Sequence, residues 1–158
     1  MNWKKVLMGL AAFLMALAGG YEINNLGGGR LNYQERSMLD EVAATTTGSA
    51  INVADFQNVG VTVAPTAASA TLKFACSMSE TAPTFTTVQS ATNRWDYIQI
   101  VDLEDGLSID GDTGLVFTGT TDVRQFEFDT NNFRWCAAVL SPWAAGTTTV
   151  KLLPATNL

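Results

Sequence analysis

Apolar and polar residues alternate with a period of two through most of the chain after residue 37. In "NVGVTVA", Val59, Val61 and Val63 alternate with Gly60 and Thr62. In "TLKFACSM", Leu72, Phe74, Cys76 and Met78 alternate with Lys73, Ala75 and Ser77. "VRQFEFDT" sets Val123, Phe126 and Phe128 among polar neighbours, "FRWCAAVLS" puts Phe133, Trp135, Ala137 and Val139 in phase, and "TTTVKLLPA" follows. Successive side chains on a strand point to opposite faces, so this period predicts half-buried strands rich in β-branched and aromatic residues. Turn signals separate them: "TGSA", "APTAASA", "SETAPT", "LEDG", "DGDTG", "DTNN" and "SPWAAG". About eight short strands at this pitch predict an all-β fold, an antiparallel β-sandwich of jelly-roll-like or Ig-like type, over residues 37–158.

The first twenty residues, "MNWKKVLMGLAAFLMALAGG", follow another pattern. Lys4 and Lys5 precede an uncharged run from Val6 to Ala18, and Ala16-Leu17-Ala18 fits a small-x-small cleavage site, so a secretory signal is one reading. The other is a retained N-terminal hydrophobic α-helix. Val6, Leu7, Leu10, Phe13, Leu14 and Leu17 would anchor it in a membrane or a protein assembly. Residues 21–36 are glycine-rich and predict a flexible tether.

Composition narrows the chemistry. The chain of 158 residues is 47% hydrophobic and 15% charged, which suits a packed domain rather than a disordered one. The net charge of −6 argues against a nucleic-acid partner, because phosphate binding needs clustered Lys and Arg. There is no histidine. That removes Ser–His–Asp and Cys–His nucleophile systems and His-ligated zinc. Asp102 and Glu104 fall on one face of a strand, yet proximity alone does not make the separated carboxylate pair of a glycosidase; they read as solvated turn charges. No catalytic group and no cofactor is expected.

Three features are candidates for binding. The stretch "VDLEDGLSIDGDTGLVFTG" holds five acidic residues among four glycines. No register places oxygen ligands at positions 1, 3 and 5 with glycine at 6, so it is not an EF-hand loop. Asp105, Asp110 and Asp112 stay as candidate calcium ligands; the competing reading is a strand "YIQIVDL", a turn at Asp105-Gly106, a short "LSI" strand and a second turn at Asp110-Gly111. Among the aromatic residues, Trp95, Tyr97 and Trp135 read as core or subunit packing rather than a sugar platform. Trp143, in a turn after Pro142, is the candidate for an exposed contact. Cys76 and Cys136 lack C-x-x-C spacing and read as two separate buried thiols, with one disulfide the alternative if the protein is exported.

Taken together, "AATTTGSAINVADFQNVGVTV", "NRWDYIQIVDLEDGLSIDGDTGLVFTG", "VRQFEFDTNNFRWCAAVLS" and "AAGTTTVKLL" resemble small β-rich structural proteins encoded by bacteriophages, over about Ser37 to Leu153. The N-terminal hydrophobic segment departs from that group. The resemblance implies a non-enzymatic virion protein, a capsid-associated, decoration or spike-base subunit. Its partners would be copies of itself and other virion proteins, with a membrane possible through residues 1–20. The alternative is an exported bacterial surface or periplasmic binding module with a cleavable signal.

Overall fold

The computed structural model describes residues 35–155. Ten strands follow one another: β1 (Arg36–Val42), β2 (Thr46–Thr47), β3 (Ile51–Asn52), β4 (Asn58–Ser77), β5 (Asp96–Tyr97), β6 (Ile100–Asp102), β7 (Ser108–Ile109), β8 (Leu115–Thr120), β9 (Arg124–Asp129) and β10 (Trp135–Ala155). All are antiparallel to their neighbours in one hydrogen-bonded sheet of order β1-β10-β4-β9-β6-β7. β2 and β3 add to β10 beyond β1, while β5 and β8 add to β4 beyond β9. The all-β antiparallel expectation holds for the described residues.

The spine is the ladder between β4 and β10, which are 20 and 21 residues long. Two segments that read as turns, "APTAASA" and "SPWAAG", lie inside these strands. The ladder continues through them with register shifts between Leu140, Trp143, Ala145 and Thr147. Extra residues on one strand bend it and sharpen its twist, which is why turn-type composition suits a strand interior here. Ala67 on β4 and Gly146 on β10 face each other with φ of 49° and 74°. A Cβ on Gly146 would lie 2.4 Å from the carbonyl oxygens of Thr66 and Ala67. Only glycine allows the two backbones to approach this closely.

On either side of the bend the strands supply one core. Val59, Val61 and Val63 come from one arm of β4, and Leu72, Phe74 and Cys76 from the other. They join Phe126 and Phe128 of β9, Cys136, Ala138 and Leu140 of β10, and Met38 and Leu39 of β1. Burying each large apolar side chain contributes roughly 1.5–3 kcal/mol. The predicted alternation is thus the core phase of β4 and β9, except that Met78 ends 61% and Val123 58% exposed.

The other face of the same ladder is also covered. Ala75, Ala137 and Val139 point away from the main core and pack with Phe85, Trp95, Tyr97 and Trp135. Phe85 and Trp95 lie on the segment between β4 and β5, which folds back over the ladder. Phe133 packs on the main core instead, so Phe133 and Trp135 do not share one face as predicted.

Candidate functional site

The acidic stretch forms a corner. β6 and β7 pair through Ile100 with Ile109 and Val101 with Ser108. Between them the amide of Gly106 donates to the Asp102 carbonyl at 2.9 Å, and the amide of Leu107 donates to Asp105 Oδ1 at 2.8 Å. Gly106 takes φ of 72°, the conformation the Asp-Gly pair predicts.

Asp102 corrects the sequence reading. It is only 1% exposed and is not a solvated turn charge. Its Oδ2 pairs with the Arg124 guanidinium from β9, and its Oδ1 accepts the Glu104 amide at 3.0 Å. Arg124 Nε also lies 3.4 Å from Glu104, a terminal nitrogen lies 4.0 Å from Asp105, and the guanidinium stands 5.7 Å from the Phe126 ring centroid. A buried carboxylate needs such a partner, because its charge otherwise loses hydration without return.

The second half of the stretch is a separate turn. Asp110 Oδ1 accepts the amide and the hydroxyl of Thr113, at 3.0 and 3.2 Å. These bonds, the backbone one first, hold its carboxyl below the usual range. Positive φ falls on Gly114 rather than Gly111. Gly111 serves close approach instead, since a Cβ there would meet the Tyr97 and Ile98 backbone at 2.7 Å. Lys73 donates to the Asp112 carbonyl and lies 4.8 Å from the Tyr97 ring centroid. Burial pushes the Tyr97 phenol up, and the Asp112 carboxylate adds to the effect.

The carboxylates of Asp105 and Asp110 therefore serve their own turns, while Asp112 is held through its backbone carbonyl. Among the described residues no group of three or more Asp, Glu or Cys is placed to hold a metal ion, so the three candidates are not gathered.

Two further readings change. Cys76 and Cys136 are not separate thiols but a disulfide, with Cα atoms 4.2 Å apart. They are direct partners in the β4–β10 ladder. That spacing matches the closer, non-hydrogen-bonded type of antiparallel pair. Trp143 lies in bulged β10 rather than in a turn, and its indole packs half-buried on the main core. Its Nε1 donates to the Gly146 carbonyl at 3.0 Å. It staples the bend and is not a free contact. The anchor residues Val6, Leu7, Leu10, Phe13, Leu14 and Leu17 lie outside the described residues. Among those described, no helix is long and apolar enough to cross a membrane.

Sequence reasoning missed the outer aromatic face. Trp95 Nε1 donates to the Thr87 carbonyl at 3.2 Å, and its ring meets Phe85 and Tyr97 edge-on at centroid distances of 5.9 and 5.3 Å. The Asn93 side chain ties the covering segment together. It accepts from the Thr84 amide at 2.9 Å and donates to the Thr84 carbonyl at 3.0 Å and Thr87 Oγ1 at 2.9 Å. "TNRWDY" carries the aromatic signal, but nothing in it says which surface the rings cover.

The fold defines an all-β protein built on one bent antiparallel ladder. No known protein family matches the chain, and no curated protein is similar to it in sequence. Among solved structures it is similar to the SPBc2 prophage-derived protein YomS, with a TM-score of 0.56 and 10% identity over 76% of this chain and 90% of that one. It is also similar to the PBSX exported protein XepA, with a TM-score of 0.62 and 16% identity over 82% of this chain. The chain spans 39% of the length of XepA. At these identities the likeness is one of fold.

Proposed function

We propose that this protein is a non-catalytic structural protein of a phage particle, a capsid-associated, decoration or spike-base subunit held through residues 1–20. The observation that carries this reading is the fold it shares with two phage-derived proteins, YomS and XepA. We read the bent sheet as a sandwich whose two layers share β4 and β10, since both arms of these strands feed one core. Its partners are copies of itself and other virion proteins. β8 supports lateral contact, because it pairs only with β4 among the described strands and exposes Val116. The absence of histidine and the engagement of Asp102 by Arg124 support a role without catalysis.

Light scattering of the full chain after size exclusion tests the assembly. The expected result is a defined oligomer; a stable monomer at every concentration overturns the reading.

A second reading is favoured by the Cys76–Cys136 disulfide, because such bonds persist in oxidising compartments. In it the protein is an exported module from which residues 1–18 have been removed. Intact-mass measurement separates the two: a chain that starts at Gly19 rules out the anchor, and a full-length chain rules out the cleaved signal.

A further inference from the structure

A groove of about 570 Å³ runs along the outer face of the β4–β10 ladder. Half-buried Trp95 and Tyr97 give it aromatic walls, the buried side chains of Phe85 and Val139 complete its apolar lining, and threonines from β2 and from the segment after β4 give it a hydroxyl rim. We propose that this groove binds a neutral saccharide, seated against the aromatic wall and hydrogen-bonded along the rim. The inference goes beyond the structural role above and does not depend on it.

The lining carries no charged residue. That is notable on a chain of net charge −6. Three other clefts on the described surface each include a carboxylate or a guanidinium: Arg94 and Asp96 in one, Asp55 and Asp129 in another, Glu80 and Arg94 in the third. An ionic ligand finds no partner in the groove, whereas a ligand rich in hydroxyl groups does. Thr46, Thr86, Gln89 and Ser141 line it, and among the described residues their side chains make no hydrogen bond to the protein. Their donors and acceptors face water and can exchange it for sugar hydroxyls with little loss. Pyranose rings present apolar C–H faces that pack on aromatic rings, while their hydroxyls need polar partners at the edge. Apolar walls with a few convergent polar groups are the general form of a small-ligand site, and the volume falls within its usual range.

The site is also pre-organised. Trp95 is fixed from one side by its bond to the Thr87 carbonyl and from the other by Phe85 and Tyr97. Asn93 holds the strip that carries Thr86 and Thr87. Little ordering is left to be done on binding, which favours affinity for a small ligand.

The test is nuclear magnetic resonance on the full chain. Methyl glucoside, methyl galactoside and N-acetylglucosamine oligomers serve as probes at about 10 mM, enough to occupy a site of millimolar Kd. The expected result is saturation transfer to at least one probe, together with a shift of the Trp95 indole N–H and none at Trp143. Gln89→Ala and Thr86→Val change exposed side chains and should each weaken binding several-fold with the fold intact; Trp95→Ala should abolish it. The proposal is overturned if no probe shows transfer, or if binding is unchanged in both rim variants. It is also overturned if a proline-rich peptide, the other partner for an uncharged aromatic groove, shifts the Trp95 signal while every sugar leaves it in place.

Discussion

Reducing the Cys76–Cys136 bond should lower stability by about 4 kcal/mol, and the structure explains why so much follows from one bond. The two cysteines are 60 residues apart in sequence yet face each other across the ladder. In the unfolded chain the bond closes a loop of that length, and the lost chain entropy corresponds to about 4 kcal/mol at room temperature. Both cysteines are buried in the disulfide-bonded protein, Cys76 at 1% and Cys136 at 0% exposed. Comparing oxidised with reduced protein reads the tether without changing any residue of the core. Urea unfolding followed by tryptophan fluorescence provides the assay. The oxidised form should show the higher midpoint and also the smaller m value, because a cross-linked denatured state exposes less surface. The melting temperature should differ by roughly 15 °C for a domain of this size. Equal midpoints for the two forms would refute the reasoning, as would a larger m value in the oxidised protein.

Three other perturbations separate parts of the architecture. Arg124→Ala leaves the buried Asp102 carboxylate without its counter-charge and should cost about 3 kcal/mol in urea unfolding, while Glu104→Ala, at the exposed end of the same network, should cost under about 1 kcal/mol. Gly146→Ala drives a Cβ to within 2.4 Å of two backbone oxygens at a left-handed φ, and should cost about 3 kcal/mol or more. Gly119→Ala shares the positive φ but meets open space, so about 1 kcal/mol is expected by the same assay. Asp110 has a lowered carboxyl pKa, so its ionised form favours the fold. That contribution is complete above the ordinary aspartate value and is lost as pH falls through the lower folded value. The gap in urea midpoint between the natural chain and Asp110→Ala should be constant from neutral pH down to about pH 5 and should close below about pH 4. A gap that persists at the acid end would show that the Thr113 bonds do not depend on the charge.

The strands were legible in the sequence because their cause is local. A period of two in Val59–Val63, Leu72–Cys76 and Phe126–Phe128 reflects one buried face, and that face is visible residue by residue. The Asp105-Gly106 turn was legible for the same reason, since its φ depends on those two residues and their neighbours. Turn-type composition misled at "APTAASA" and "SPWAAG", because a bulge within a strand draws on the same residues as a turn between strands. Whether such a segment ends a strand or bends it depends on a partner far along the chain.

Tertiary structure decided everything that rests on such distant partners. The pairing of β4 with β10 brings Cys76 against Cys136, and no local pattern announces that register. The pairing of β6 with β9 puts Arg124 beside Asp102 and turns an apparently solvated acid into a buried ion pair. The segment between β4 and β5 gives the β4–β10 ladder a second covered face, so Ala75 and Ala137, which alternation assigns to solvent or to an ordinary core phase, become the floor beneath an aromatic layer. Sequence by itself thus determined the periodicity, the local turns and the exclusion of histidine chemistry, because these depend on residue type and spacing. Which strands meet, where they bend and which surface the aromatic rings line depend on closing loops of tens of residues, and only the folded chain specifies those.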